Sequence, residues 1–197
     1  MISFWEKIAF TKYDLIVVGG GITGLFSALS FNKKHPNSRI AILDRGIFPN
    51  GASTKNAGFA CFGSISELIE DSKNMSDASI LCLVEKRIKG LELLKNTISS
   101  KKLDLKNNGG YELFFSDKDN LQESINKYND LLFPIFNKNI FSLINDQIEA
   151  FGFSNESVKQ LIFNPFEAQI NSGSAIYDLQ RLAGQKGIKI ISGANVD

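Results

Sequence analysis

Three glycines near the start of the chain have the spacing of a phosphate-binding turn. Gly19, Gly21 and Gly24 form a G-x-G-x-x-G pattern directly after the apolar run at residues 13–18. In such a turn the first glycine permits the tight bend, the second lets the backbone approach a pyrophosphate, and the third lets helix and strand pack closely. The following helix offers free N–H groups and a favourable dipole to the anion. The spacing therefore predicts a dinucleotide site.

A carboxylate follows at the place where such a site needs one. Asp44 lies 20 residues beyond Gly24 and ends the apolar run Ile40–Asp44. A carboxylate there accepts hydrogen bonds from ribose hydroxyls and repels a 2′-phosphate, which disfavours NADP. The plain alternative for Asp44 is a solvated charge at the end of a strand. The glycine spacing together with Asp44 leaves NAD and FAD open.

The elements that must position this turn have the order strand, glycine turn, helix, strand. Residues 13–18 and Ile40–Asp44 are short apolar runs typical of strands in a parallel sheet, and Leu25–Phe31 between them has helical character. A helix over residues 175–184, followed by a strand over 188–192, returns the chain to that sheet. This order predicts an α/β fold with a Rossmann-type domain.

The middle of the chain has another pattern and predicts an inserted α+β region. Apolar residues recur every three or four positions between residues 67 and 103, which indicates a helix. Strands are predicted at residues 110–115 and 161–163, on either side of a helix at residues 121–136. We expect the alternating residues Tyr111, Leu113 and Phe115 to form one buried face of the first of these strands.

Two domains follow from these patterns. Residues 1–66 and 172–197 form the Rossmann-type domain, and residues 67–171 form a helical and α+β region inserted into it.

Composition excludes several chemistries. The chain has 197 residues, of which 43% are hydrophobic and 22% charged, and a formal net charge of +1. No Lys/Arg block predicts nucleic acid or an anionic membrane as a partner, and no run reaches the ~18 apolar residues of a membrane span. The start of the chain has no signal-peptide pattern, so we expect a cytoplasmic location.

The sequence also lacks the residues that a metal site or a catalytic nucleophile would need. The only histidine, His35, is predicted in a loop between helix and strand, and the two cysteines, Cys61 and Cys82, have no metal-site spacing. We expect both cysteines to be packed residues, with Cys82 in the core of the middle helix. No metal site and no Ser-His-Asp triad is therefore expected, and a bound cofactor would have to supply the reactive group.

A loop of small and polar residues separates NAD from FAD. The run Gly51-Ala-Ser-Thr-Lys-Asn-Ala-Gly58, behind the glycine turn and Asp44-Arg45, resembles the glycine/D-amino-acid-oxidase family of FAD-dependent oxidoreductases. By composition alone this run is a surface loop. The segments at residues 109–113 and 167–171 resemble the same family less specifically. The resemblance also implies a second half of the protein beyond the strand at residues 188–192, so we expect the Rossmann-type domain to be incomplete and the chain to be truncated at its C-terminus.

The resemblance implies FAD as cofactor and assigns roles in its site. Asp44 would hold ribose, the amides of Gly21 and Ile22 would hold phosphate, and Arg45 would flank the adenine. Serine and threonine of the loop would bind the pyrophosphate, and its last four residues would come close to the isoalloxazine. The implied cofactor contacts are Gly19, Gly21, Ile22, Thr23, Gly24, Asp44, Arg45, Ser53, Thr54, Lys55, Asn56, Ala57 and Gly58.

The function implied is oxidation of a C–N bond in a small amino acid or amine, with hydride transfer to flavin. No protein nucleophile is needed for that step, and no catalytic residue is assigned. Two alternatives stay open. One is a non-catalytic or split nucleotide-binding fragment that needs a C-terminal half or an oligomer partner. The other is an NAD-dependent dehydrogenase.

Overall fold

The computed structural model describes residues 2–196, and the chain divides into two compact units. Unit 1 comprises Met1–Gly58, Ile98–Asp104 and Asn171–Asp197; unit 2 comprises Phe59–Thr97 and Leu105–Ile170. The helices are α1 Phe4–Phe10, α2 Ile22–Lys34, α3 Ile65–Asp71, α4 Asp77–Thr97, α5 Ser100–Leu103, α6 Leu121–Phe136 and α7 Ser172–Gln185. The strands are β1 Leu15–Val18, β2 Ile40–Asp44, β3 Phe59–Ala60, β4 Gly110–Phe114, β5 Ser142–Leu143, β6 Gln160–Asn164, β7 Ala168–Gln169 and β8 Lys189–Ser192.

Unit 1 is built on a parallel three-stranded sheet in the order β1-β2-β8. Helices α2 and α7 pack against each other and against the sheet, and the buried residues between them include Leu25, Ile42 and Leu179. Each apolar side chain of this size contributes about 1.5–3 kcal/mol when fully buried. The prediction of an α/β fold with a parallel sheet is confirmed. This arrangement brings the C-terminal ends of all three strands to one edge.

Helix α1 was not predicted, although its start carries a capping signal. The Ser3 hydroxyl accepts from the Glu6 amide at 3.2 Å, and the Glu6 carboxylate accepts from the Ser3 amide at 2.8 Å. This reciprocal pair satisfies two amides at the helix start. None of the helix's seven residues is buried. The helix therefore draws its stability from its ends rather than from an apolar face.

Unit 2 contains an antiparallel sheet in the order β4-β6-β5, with β3 and β7 forming a separate antiparallel pair. Its core lies between this sheet and the helices α3, α4 and α6. Asn129 of α6 is a buried polar residue in that core. Its amide donates to Phe141 O at 2.9 Å, and its carbonyl accepts from the amides of Ile140 and Phe141 at 2.8 and 2.9 Å. One side chain thus fixes the segment before β5 onto α6.

Several expectations for the middle region are wrong. The helical pattern at residues 67–103 corresponds to three helices, because a turn at residues 71–75 separates α3 from α4 and Ser99 starts α5 anew. Cys82 is exposed rather than in the core, and Cys61 is also exposed. The helical stripe that places Ile80 and Val84 in the core leaves Cys82 on the other side of α4.

The predicted buried face of β4 is also wrong. Tyr111 is 46% exposed and Phe115 is 72% exposed, whereas Phe114 is buried against the core of unit 2. Alternation shows which residues share a face of a strand, but not which face is covered. Tyr111 instead packs on the rings of Phe151 and Phe163, each with centroids 4.9 Å away.

The compact units change at Gly58 rather than at residue 66, and the short segment Ile98–Asp104 belongs to unit 1. The domain boundaries drawn from the sequence stay a prediction, since compactness alone does not define a domain. Among the described residues, no helix is long and apolar enough to cross a membrane.

Candidate functional site

The glycine turn lies at the C-terminal edge of the parallel sheet and leads directly into α2. Gly19 has φ +100°, a conformation that side chains other than glycine rarely adopt. Gly21 is the N-cap of α2 and has no side chain to cap it, so the first amides of the helix point out of the turn. This is the arrangement in which a helix N-terminus binds an anion. The helix begins at Ile22, three residues before the predicted start.

Close approaches explain why the turn is made of glycine. A Cβ on Gly24 would collide with the carbonyl oxygen of Gly19 and would stand 3.2 Å from Val17 Cγ1. A Cβ on Gly21 would stand 2.8 Å from the Ser53 hydroxyl, and one on Gly20 would stand 2.9 Å from an Asp44 oxygen. The missing side chains thus let the Gly19 carbonyl, Asp44 and Ser53 approach the start of α2 closely. Residues 19–22, called the cradle below, present backbone rather than side chains to an anion, which is what pyrophosphate binding at a helix start requires.

Asp44 holds the turn with both of its carboxylate oxygens. Its Oδ2 accepts from the Gly20 amide at 2.7 Å, and its Oδ1 accepts from the Gly46 amide at 2.9 Å. A carboxylate has about four acceptor positions, so further positions remain for ribose hydroxyls. Asp44 therefore shapes the turn in addition to facing the place predicted for ribose.

Ser53 caps α2 from a loop 31 residues away. Its hydroxyl oxygen accepts from the Ile22 amide at 3.0 Å, one of the first amides of the helix, which have no partner within the helix itself. A hydroxyl oxygen that accepts still has a proton to donate. Ser53 can therefore keep its bond to Ile22 while donating to a phosphate oxygen, or it can yield the amide to that oxygen.

The rest of the predicted loop is tied largely to itself. Thr54 donates to Gly51 O at 3.1 Å. The Asn56 amide donates to Ser53 O at 2.9 Å, and its Oδ1 accepts from the Gly58 amide at 2.8 Å. Gly58 is buried and has φ +80°. Thr54 and Asn56 thus fix the shape of the loop, a role that the sequence analysis did not assign to them.

Four predicted residues lie on the surface of unit 1. Thr23 is in the first turn of α2, Arg45 directly follows β2, and Lys55 and Ala57 lie in the loop; all four are exposed. Of the thirteen predicted residues, the structure brings together the turn, Asp44 and Ser53 through direct hydrogen bonds. It leaves these four side chains accessible around that centre.

A crevice of about 350 Å³ opens beside the turn, at the C-terminal ends of β1 and β2. Open α/β sheets bind ligands at this edge. Residues that the sequence analysis missed line the crevice, namely Asn50, Ala194, Asn195 and Val196. The last three follow β8, whose backbone continues alongside β2 through a bond from the Ala194 amide to Asp44 O at 2.9 Å. The predicted return of a strand to the sheet was the signal that could have found them.

Unit 2 contains a second group of polar side chains, between β4 and the start of α3. Burial, chiefly, raises the pKa of Glu167, and the negative charge of Glu112 adds to the rise. Neighbouring atoms partly desolvate the Cys61 thiol, although the residue as a whole is exposed, and this raises the pKa of the thiol; Glu167 and Glu67 contribute in the same direction. A thiol held in its protonated form is a poor nucleophile. Among the described residues, no group of His, Cys, Asp and Glu has the arrangement of a metal site.

The family model described as DAO, FAD dependent oxidoreductase, matches residues 14–197. The chain belongs to this family. A search of curated proteins by sequence finds no match. The family match confirms the resemblance found on the glycine turn, Asp44-Arg45 and the loop at Gly51–Gly58.

Solved structures of two glycine oxidases and an L-amino acid deaminase have the same fold. Glycine oxidase from Bacillus cereus ATCC 14579 superposes with a TM-score of 0.58 at 17% identity, over 94% of this chain and 48% of that one. Glycine oxidase from Geobacillus kaustophilus gives 0.63 at 17%, over 93% and 47%. L-Amino acid deaminase from Proteus myxofaciens, in complex with anthranilate, gives 0.62 at 17%, over 93% and 38%. The chain spans about half the length of these structures or less, and at such identities the likeness shows the fold alone.

Proposed function

We propose that unit 1 binds the ADP part of FAD in a protein that oxidises a C–N bond of an amino acid or amine. The observation that carries the proposal is the cradle at the start of α2, which Asp44 and Ser53 hold together from two other segments. Membership in a family of FAD-dependent oxidoreductases selects FAD over other dinucleotides. The names of the similar structures, glycine oxidase and L-amino acid deaminase, are the reason for proposing an amino acid or amine as substrate.

The proposed contacts combine the geometry of the turn with the roles that the family resemblance implies. The amides of Gly21 and Ile22 would bind the pyrophosphate, with Ser53 donating its hydroxyl proton to the same group. Asp44 would accept from the ribose hydroxyls with the positions that Gly20 and Gly46 leave available. Arg45 would flank the adenine, and the residues from Lys55 to Gly58 would approach the isoalloxazine.

Further contacts come from the other predicted positions. Gly19, Thr23 and Gly24 would border the pyrophosphate, and Thr54 would reach it only by breaking its bonds within the loop. Bound FAD would supply the acceptor for the hydride that leaves the substrate's C–H bond beside nitrogen. This chain would bind and orient that cofactor and exclude water from the cradle.

Cofactor titration tests the proposal directly. Purified protein is titrated with FAD and with NADH, and binding is followed by flavin and nicotinamide fluorescence. We expect binding of FAD and much weaker binding of NADH, because the family match and the loop at Gly51–Gly58 favour FAD. Failure to bind FAD, or a preference for NADH, would contradict the proposal; NADH preference would support the dehydrogenase alternative.

A matched pair of glycine variants separates the cradle from general stability. Gly21→Ala puts a methyl group where the Ser53 hydroxyl and the pyrophosphate must approach, so we expect FAD affinity to fall at least about tenfold, or about 1.4 kcal/mol. Gly184→Ala lies in α7 of the same unit with no atom within 4 Å of the new Cβ, so affinity should not change. Equal FAD affinity in the two variants would mean that FAD does not bind at the cradle.

A second candidate function is that of one part of a site that another polypeptide completes. One face of the parallel sheet favours it: Ile16 is 52% exposed and Val18 is 66% exposed, although strands of parallel sheets are normally covered on both faces. A polypeptide layer over this face would bury both side chains. The exposed residues alternate along β1 with Leu15 and Val17, which point toward α2.

Comparison of ADP with FAD shows how much of the cofactor site the chain provides by itself. If the chain provides only the ADP-binding part, ADP and FAD should bind with nearly the same Kd. If the chain also contacts the flavin strongly, FAD should bind at least a hundredfold more tightly, or about 2.7 kcal/mol. Isothermal titration of both ligands with the same preparation gives the ratio.

A further inference from the structure

Helix α1 exposes an unusual number of large apolar side chains. It precedes the residues that match the family, which begin at 14. Phe4 is 67% exposed, Trp5 is 75% exposed and the preceding Ile2 is 65% exposed. The rings of Phe4 and Trp5 meet edge to face with centroids 5.2 Å apart. Such a group of exposed apolar residues marks an interaction surface rather than ordinary solvent exposure.

The C-terminal end of α1 is fixed to the N-terminal edge of the parallel sheet. Arg39, directly before β2, donates to Ile8 O at 3.2 Å and to Ala9 O at 2.8 Å. Lys189, the first residue of β8, stands 4.8 Å from the centroid of the Phe10 ring. The exposed aromatic residues thus belong to the sheet edge opposite the glycine turn.

The same edge collects basic residues that are far apart in the sequence. Because strands run parallel and the helices return between them, the end of α2 and the residue after α7 come to the edge where β2 and β8 begin. All of the basic residues there are exposed. They are Lys7, Lys12, Lys33, Lys34, Arg39, Lys186 and Lys189.

Charge is divided unequally between the two units. Unit 1 has twelve Lys and Arg against six Asp and Glu, whereas unit 2 has ten against fifteen. The near-neutral chain therefore consists of a basic and an acidic part. Pyrophosphate binding does not explain this excess, because seven of the twelve basic residues lie at the edge without the turn, about 15 Å away along the strands.

We propose that this edge docks on an anionic lipid surface, with Phe4 and Trp5 entering the headgroup region and the basic residues facing the lipid phosphates. Aromatic side chains on a short helix, bordered by Lys and Arg, are what interfacial association requires. Nucleic acid would satisfy the basic residues but would leave the apolar residues Ile2 and Phe4 without a role. The C-terminal edge with the crevice would stay accessible to solvent.

The only tryptophan of the chain is Trp5, so it reports on docking without a label. The protein is titrated with vesicles of phosphatidylcholine and phosphatidylglycerol (about 2:1) and with pure phosphatidylcholine vesicles, at about 0.1 M salt. We expect a blue shift of Trp5 emission with the anionic vesicles only, and its reversal at high salt. No shift with anionic vesicles, or an equal shift with both kinds, would overturn the proposal.

Charge variants test the basic edge. Each basic residue near an anionic leaflet contributes about 1 kcal/mol, so Lys33→Gln with Lys34→Gln should weaken vesicle binding about 25-fold. The control, Lys101→Gln with Lys102→Gln, removes an adjacent lysine pair from α5, near the middle of α7, where Lys102 pairs with Asp178 at 3.6 Å. Its binding should stay within about twofold of the parent. Equal losses in the two variants would overturn the proposal.

The aromatic residues and the rival partner need their own measurements. Phe4→Ser with Trp5→Ser should lower vesicle co-sedimentation at least about tenfold while thermal unfolding is unchanged, because neither side chain is buried. Titration with duplex DNA tests nucleic acid as the alternative partner. Binding of DNA at concentrations that leave the vesicles unbound would replace the lipid surface by nucleic acid.

Discussion

Replacing Asp44 by asparagine should destabilise the protein even when no nucleotide is bound. The Asp44 carboxylate accepts one hydrogen bond on each oxygen, from Gly20 at 2.7 Å and from Gly46 at 2.9 Å. Asparagine has a single acceptor oxygen, so Asp44→Asn loses one of the two bonds and turns an amide group toward the other N–H. Hydrogen bonds to charged groups are worth about 1.5–3 kcal/mol. We expect a loss of about 2 kcal/mol in the free energy of unfolding.

Asp14 provides the matched control in the same sheet. Its Oδ2 accepts a single backbone bond, from the Arg39 amide at 2.7 Å, and the residue is exposed. Asparagine can make that one bond, so Asp14→Asn should cost less than about 0.5 kcal/mol. Urea unfolding of both variants without nucleotide, followed by circular dichroism, measures the difference. If Asp44→Asn unfolds like the parent and loses only nucleotide affinity, then the carboxylate binds ribose but does not hold the turn.

Two further predictions concern hydrogen bonds, and a third concerns the titration of a carboxyl group. Ser53→Ala should cost about 1 kcal/mol of stability without FAD and more at saturating FAD, because the proposed bond to the pyrophosphate is then lost as well; thermal melts with and without FAD show the difference. Asn129→Ala leaves three buried backbone groups without a partner, so urea unfolding should show a loss of about 3–5 kcal/mol. Burial raises the pKa of Glu167, so the folded state binds its proton more tightly than the unfolded state, and stability falls as pH rises from the unfolded pKa through the folded one. Glu167→Gln should therefore stabilise the protein at pH 7 relative to the parent, and the advantage should vanish below the unfolded pKa in melts from pH 3.5 to 8.

The parts of the site that the sequence predicts are those that depend on short stretches of chain. The glycine spacing, the strand before it and Asp44 after the next strand all lie within about 30 residues, and each has a local signature. Helix α6 was predicted at about its observed bounds, Leu121–Phe136. Such features can be predicted without knowing which residues pack against them.

The parts that the sequence does not predict depend on contacts between distant segments. Ser53 was assigned to the pyrophosphate from the resemblance, but nothing in the sequence shows that its hydroxyl caps α2 through Ile22. The residues after β8 reach the crevice only because β8 pairs with β2 in parallel. The exposure of Cys82 follows from which side of α4 packs in the core, and that depends on the tertiary fold.

Strand direction explains why the two proposed sites are separate. In a parallel sheet every strand contributes its C-terminal end to one edge and its N-terminal end to the other, so the turn and the crevice share the first edge. The residues that precede the strands, and those that end the helices, share the second. Arg39 is therefore a neighbour of α1 in the fold and remote from Asp44, although it lies only five residues before Asp44 in the sequence. No pattern of charges along the chain shows this division, because consecutive elements alternate between the two edges. For that reason the sequence analysis found no basic patch, whereas the topology of unit 1 collects one.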